Sequence, residues 1–390
     1  LKVARDHGCS VVVRGGGLSP QCAADGAIML DLAPRMGGGT LLGTDARMNG
    51  GATMGDVLAL LEPQSRLIPI GVAPIPGMGL ATRGGVGYLT RSAGLTLDHV
   101  REIEIVLPSG NVLTLSDESK GDEADLWWAV RGAAPHYGVV TKVTFRSRPS
   151  PLRVFAQRLV FPLESLAAYF ELAPTLPRDI SASALLGRPQ DPLGPPVLFV
   201  YVVLAGESEE GIARVREFTA ELTRRGGAKP LLELSEVFPY SNMPSYDVPA
   251  LEAVKAAPAP GEARWGDLPP TPTLDQRLFK FEKCPFLKSL DAKVAAQLIE
   301  AIRTAPTTLC RIDLQHCGGA IGDVSRTATA FWNRDFEWNC PIIAAWISPA
   351  GEQAACTSWG RHVTQILAPY TVGVYSVEVC PGLPETAREV

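Results

Sequence analysis

Two clusters of glycine are the residues of this chain whose type and spacing can do chemistry. Residues 14–19 read RGGGLS and residues 77–87 read GMGLATRGGVG. Gly15, Gly16 and Gly17 follow the β-branched run SVVV (10–13), so a strand enters a sharp turn with almost no side-chain bulk. Glycine takes positive φ without penalty, and successive N–H groups in such a turn can point at one anion. Arg14 adds a charge at one end of the loop, and Leu18 and Ser19 close the other. A single Gly-Gly-Gly is more simply an ordinary tight turn. The second cluster shifts that balance, because Gly77, Gly79, Gly84, Gly85 and Gly87, with Thr82 in their middle, make a second glycine-rich turn close behind the first. Neither loop is a G-K-[ST] phosphate loop or a strand–G-x-G-x-x-G–helix fingerprint. Spacing alone therefore yields a backbone cradle for a phosphorylated ligand.

Other reactive side chains are dispersed. None of the eight cysteines forms a C-x-x-C pair, which argues against a zinc site or redox dithiol and for reduced, structural thiols. No two of the five histidines are spaced as metal ligands on one helix or strand, so no metal site is expected. His316 lies in the strand-like run RIDLQHC (311–317) and shares a face with Leu314, while Asp313 and Gln315 point the other way. One of these two sets lines a substrate pocket, or the polar residues are structural. His136 reads as a turn-packing residue, and His7, His99 and His362 as surface or capping residues.

The elements that must position these groups fall into two parts. A chain of 390 residues exceeds what one core usually supports, and the pattern changes at Pro149 and Pro151, giving domains 1–150 and 151–390. The first part reads as strands at 10–13 and 27–32 and a helix face marked by Thr53, Val57, Leu60 and Leu61. A hairpin follows, 102–107 and 112–115 about a Pro-Ser-Gly-Asn turn, then a helix at 123–130 and a strand at 138–146. The second part has strands at 153–161, 196–206, 308–316 and 341–347, helices at 165–173, 207–225 and 291–303, and a proline-rich loop at 256–273. This grouping predicts an α+β layer, an antiparallel sheet covered by helices on one face. Hydrophobic residues make up 46% and charged residues 20%, with a net charge of −5 and scattered basic residues, which excludes nucleic acid and anionic membrane as main partners. No apolar run approaches the roughly 18 residues of a membrane span. The chain opens at Leu1 on what reads as the second half of a helix, so the expectation is a processed or truncated product whose targeting signal and compartment lie out of view.

Four segments, in order, resemble one family. VVVRGGGLSP, GGVGYLTRSAGLTLDHV, the hairpin at 102–115 and DLWWAVRGAAPHYGVVTKVTF (125–145) are similar to the p-cresol methylhydroxylase/vanillyl-alcohol oxidase flavoproteins, and most similar to their berberine bridge enzyme-like branch. GGAIGDVSRTATAFWNRDFEWNCPIIAAW (318–346) is similar to that branch's substrate domain, whereas residues 150–300 match in pattern only. The resemblance implies a two-domain flavoprotein, an FAD-binding domain of p-cresol methylhydroxylase type followed by a substrate domain. It implies that Arg14 to Ser19 form the pyrophosphate loop. Gly77, Gly79, Thr82, Gly84, Gly85 and Gly87 would line the other side of the FAD, and Val139 and Val140 the adenosine through their backbone. Tyr88, Arg91, Asp98 and Trp127 read as packing and loop-anchoring residues.

Three departures from the branch bear on chemistry. Many members tether FAD through a histidine after the first glycines; Leu18 stands there and has no nucleophilic atom. Some add a cysteine bond upstream of the second loop, at the place of Val72 or Ala73, and this chain has no cysteine between Cys22 and Cys284. FAD is therefore expected to bind noncovalently. The branch's Asn-Tyr pair is replaced in VYSVEV (374–379) by Val377 and Glu378, leaving Tyr375 as the nearby aromatic. Glu378 serves as a base if desolvation lifts its pKa, or it is a solvated carboxylate in a divergent segment. The branch also carries a C-terminal return segment, and part of the N-terminal domain, that are expected to be missing here. The expected activity is oxidation of a small organic molecule, of the kind found in secondary metabolism, by hydride transfer to FAD. O2 is the expected acceptor of the reducing equivalents, and Glu378, Tyr375 and His316 are the candidate catalytic residues. A non-redox cyclisation on the same scaffold, and a non-catalytic flavin-binding protein, are the alternatives.

Overall fold

The structure is a computed structural model that describes residues 1–150, 153–188, 194–242, 279–347 and 351–378. The proline-rich loop at 256–273 lies outside the described residues. The chain forms two compact units. The first draws on Leu1–Leu152, Pro239–Ser245 and Gly319–Arg334, and the second on Arg153–Phe238, Tyr246–Gly318 and Asp335–Val390.

Strands of the first unit are β1 (Val11–Arg14), β2 (Ile28–Asp31), β3 (Gly39–Leu42), β4 (Asp45–Asn49), β5 (Arg66–Leu67), β6 (Val100–Val106), β7 (Val112–Ser116), β8 (Val139–Phe145) and β9 (Arg148–Pro149). β1 and β2 pair in parallel, with Arg14 opposite Asp31. β3, β4, β8, β6 and β7 form a five-stranded sheet in that order, and the 102–115 hairpin of the sequence is its β6–β7 edge. The helix Met54–Leu61 buries Met54, Val57, Leu58 and Leu61. Thr53 is its cap rather than part of its face: its Oγ1 accepts from the Asp56 amide while the Asp56 carboxylate accepts from the Thr53 amide.

The segment 319–334, which the sequence groups with the substrate domain, packs in the first unit. Arg334 explains this. Its Nη1 donates to both carboxylate oxygens of Asp98, at 2.8 and 3.0 Å, with only 2% of the Arg334 side chain exposed. An ion pair so deeply desolvated holds only when both partners stay together. Backbone bonds from Ala330 to Trp128 and from Phe331 to Arg131 continue the seam, and Gly132 lies too close to Phe331 to accommodate a β-carbon.

The second unit is built on β10 (Arg153–Phe161), β11 (Ile180–Gly187), β12 (Val197–Leu204), β13 (Leu232–Pro239), β14 (Phe279–Lys283), β15 (Pro285–Leu287), β16 (Arg311–His316), β17 (Trp338–Asn339), β18 (Ile342–Trp346) and β19 (Thr371–Val374). They form one ten-stranded sheet, ordered β13-β10-β12-β11-β16-β17-β15-β19, with β18 also on β16 and β14 on β18. The pairings from β10 across to β19 are antiparallel. Four helices, Leu166–Leu172, Glu209–Gly226, Ala292–Arg303 and Gln353–Leu367, pack with one face of it. Alternation along each strand supplies the apolar contacts: Phe155, Leu159 and Phe161; Ile180, Ala182, Ala184 and Leu186; Ile312 and Leu314. This is the α+β layer that the sequence predicts, and strands β11, β13, β14, β15, β17 and β19 are additions to that reading. Among the described residues no helix is long and apolar enough to cross a membrane, and the seven cysteines are free thiols.

Candidate functional site

In the first unit the two glycine loops touch backbone to backbone. A β-carbon on Gly16 would stand 2.5 Å from the Gly77 amide nitrogen, and one on Gly77 would stand 2.5 Å from that of Gly16. Gly17 has φ +76°, and a β-carbon there would meet the Arg14 side chain at 2.8 Å. Arg14 reaches across to Asp31, donating from Nη1 to Oδ2 at 2.6 Å, so its charge is partly neutralised by its register partner. Among the described residues the amides of Gly16, Gly17, Leu18 and Ser19 donate to no group. Leu18 is 59% exposed. Four consecutive donors, unused among the described residues, at a turn with so little side-chain bulk suit a diphosphate.

The second loop divides into two kinds of residue. Gly79 faces open space, with nothing within 4 Å of its β-carbon position. Gly84, Gly85 and Gly87 are packed inward instead. The Gly84 and Gly85 carbonyls accept from Leu97 and Thr96, and the Gly87 amide donates to Thr90 Oγ1 at 2.7 Å. A β-carbon on Gly87 would collide with the Ile70 carbonyl. Thr82 is 1% exposed; its hydroxyl donates to the Met78 carbonyl and its own carbonyl accepts from Gly132. These residues shape the loop from behind. Val139 and Val140 lie on β8 opposite Val106 and Ile105, beyond the last residue of β4, where Gly50 donates to Thr141.

In the second unit β16 decides between the two residue sets on its faces. Ile312, Leu314 and His316 lie on the helix-covered side. His316 Nδ1 accepts from the Ala182 amide at 3.0 Å, which leaves Nε2 as the protonated nitrogen, donating to Glu337 Oε1 at 2.8 Å. Its ring stacks on Trp338 at 4.7 Å, and Trp338 packs on Tyr169 and Phe170 of the helix layer. His316 is thus engaged within the core, away from the polar set.

That polar set is on the opposite face. Gln315 lies opposite Asn339 in the β16–β17 register, and Asn339 lies opposite Phe286. The turn after β19 brings Glu378 over them: the Tyr375 amide donates to the Cys284 carbonyl and the Glu378 amide to the Tyr375 carbonyl. Glu378 Oε2 accepts from Cys284 Sγ at 3.2 Å and from Asn339 Nδ2 at 3.3 Å, and Asn339 Nδ2 also donates to Gln315 Oε1 at 2.7 Å. Burial, with the charge of Glu282 behind it, lifts the Glu378 carboxyl to about 7. Burial lifts Asp313 to about 6 against the pull of Arg311. A carboxyl with a pKa near neutrality is suited to accept a proton. Tyr375 is buried with its ring 5.5 Å from Phe286. Sequence reasoning singled out neither Cys284 nor Asn339 for this site; the signal available was a polar residue or thiol inside a strand-like run.

Comparison with known proteins agrees with this geometry. Residues 1–116 match the model of the FAD binding domain family. The chain is 36% identical over 162 residues to (R)-6-hydroxynicotine oxidase of Paenarthrobacter nicotinovorans, covering 40% of this chain and 34% of that protein. It is 27% identical over 336 residues to an FAD-linked oxidoreductase of Dictyostelium discoideum, covering 84% of this chain and 65% of that protein. The matches thus span about a third to two thirds of these relatives' lengths. Berberine bridge enzyme-like 1 of Physcomitrella patens superposes over 98% of this chain and 81% of its own, with a TM-score of 0.77 at 22% identity. The loops at 14–19 and 77–87 therefore lie within the segment that matches the FAD binding domain family, and the chain shares the fold of berberine bridge enzyme-like 1 of Physcomitrella patens.

Proposed function

We propose that this chain is an FAD-dependent oxidoreductase that oxidises a small organic substrate at a carbon bearing oxygen or nitrogen. Support comes first from the amides of residues 16–19, which donate to nothing among the described residues and are set where the two glycine loops meet. Bound there, FAD supplies the hydride acceptor. These amides would hold the pyrophosphate, with Gly79 leaving room beside the second loop. Leu18 offers no atom for a covalent bond, so the cofactor is held noncovalently. Glu378 would take the proton from the substrate O–H or N–H, and the electrons freed on the heteroatom would form the new C=O or C=N bond as the hydride leaves the adjacent carbon. Tyr375, packed on Phe286, braces the turn that carries Glu378. O2 would be the acceptor of the electrons that the bound cofactor takes up.

The test is optical. Purified protein is expected to be yellow, with flavin absorbance near ~450 nm, and acid precipitation is expected to release all of that colour. Anaerobic addition of alcohols, aldoses and cyclic amines is expected to bleach it with one of them, and air to restore it. A colourless protein that takes up no added FAD overturns the reading. Turnover of a substrate without bleaching would replace it with a non-redox cyclisation.

A further inference from the structure

We propose that Asn339 and Cys284 are positioning residues that hold the Glu378 carboxyl by one oxygen and leave the other to take the substrate proton. This role rests on Glu378 being the base. Both hydrogen bonds converge on Oε2, from Cys284 Sγ at 3.2 Å and Asn339 Nδ2 at 3.3 Å, while Oε1 accepts none among the described residues. Cys284 and Asn339 are fully buried.

Three features make the clamp rigid. Asn339 is locked at both ends of its amide: Nδ2 donates to Gln315 Oε1 at 2.7 Å as well as to Glu378, and Oδ1 accepts from Cys284 Sγ at 3.1 Å. A flipped amide would set Oδ1 against the Glu378 carboxylate, so the orientation follows from the donor inventory. Burial, reinforced by the Glu378 charge, keeps the Cys284 thiol protonated, and its single S–H is shared between Asn339 Oδ1 and Glu378 Oε2. Finally, the clamp stands on sheet register, because Asn339 lies between Gln315 of β16 and Phe286 of β15.

Donors on Oε2 favour the ionised carboxyl and oppose the burial that favours its protonated form. Other titratable and charged groups of the surrounding elements are Lys280, Glu282 and Lys283 on β14, Arg311 and Asp313 on β16, Cys340 after β17, and Tyr375 in the same turn. Lys280 pairs with Glu282 at 2.7 Å and Arg311 lies 3.3 Å from Asp313, so two of the flanking carboxylates have their own cations.

The thiol reports on the clamp without any substrate. The S–H stretching band of Cys284, isolated as the infrared difference between the wild type and Cys284→Ala (or Cys284→Ser, should the alanine variant not fold), is to be followed from about pH 5 to about pH 9. The band is expected to move to higher frequency as Glu378 protonates, with its midpoint near 7. That titration is expected to vanish in Glu378→Gln. In Asn339→Asp, where a donor becomes an acceptor, the midpoint is expected to rise by about one pH unit. A band that ignores pH, or that still titrates in Glu378→Gln, overturns the clamp. Loss of Glu378 as base is a separate outcome: the band would titrate as described while Glu378→Gln bleached with substrate at the wild-type rate. Once a substrate is known, the acid limb of kcat/KM is expected to shift upward in Cys284→Ala and return in Cys284→Ser. A uniform fall in rate with an unmoved limb would overturn the role.

Discussion

In the first unit the candidate ligand groups are main-chain amides at a turn, whereas in the second they are side chains delivered by two strands, the link between β14 and β15, and a turn. Residues 16–19 lie side by side in sequence, and their four neighbouring N–H groups donate to nothing among the described residues. Cys284, Gln315, Asn339 and Glu378 are far apart in sequence and meet only through the order β16-β17-β15-β19. The difference teaches what each site tolerates. A backbone cradle is insensitive to most of the side chains around it and intolerant of a β-carbon where the two loops touch, at Gly16 and Gly77. A side-chain cluster keeps its scaffold through substitution and loses its chemistry.

Gly16→Val tests the first half of that contrast and carries the largest expected effect. Its β-carbon would press on the Gly77 amide at 2.5 Å, where backbone cannot swing aside. Overpacking of this kind costs about 1–3 kcal/mol, and here it separates the two loops, so the variant is expected to purify without flavin. Gly79→Ala, which meets nothing within 4 Å, is expected to keep the protein's melting temperature. Equal flavin content and stability in both variants would erase the distinction between packed and open glycines.

Glu378→Gln tests the second half. It is expected to retain full flavin content and to slow anaerobic flavin reduction about 100-fold, the usual contribution of a general base. A loss of flavin together with rate would show that the two sites are not separable in this way.

A smaller effect sharpens the electrostatics. Glu378 titrates near 7 in the folded protein against an ordinary value of 4.5, so the protonated carboxyl is the form that folding favours. Its contribution is full below about pH 4.5 and is lost as pH rises through about 7. Asp313, lifted to about 6, acts in the same direction over a lower window. Urea unfolding of the wild type is therefore expected to show stability falling across this range relative to Glu378→Gln. The difference should be on the order of 1 kcal/mol, since a partly exposed carboxyl is screened by water. Parallel stability curves for the two proteins would return Glu378 to an ordinary solvated carboxylate.

Much of the fold was legible because it follows from local pattern. The run RVFAQRLVF is β10 residue for residue, and the β-branched entry SVVV leads into β1 and its glycine turn. The short strands β15 and β17 were not legible, since two or three residues have no periodicity of their own and form only because neighbours hold them. Likewise the glycines of 84–87 carry the same letter as Gly79, yet face the Ile70 carbonyl and the 96–97 turn rather than open space.

The sequence by itself determined the cradle. Close approach of two backbones requires glycine, so the requirement is written directly in residue type, and Leu18 carries no atom that could form the proposed histidine-type bond. Only the tertiary structure decided which face of β16 the helices cover. Alternation separates His316 from Gln315 but cannot say which side the helices cover. Packing settled that, burying His316 against Trp338 and setting Gln315 and Asn339 beneath Glu378.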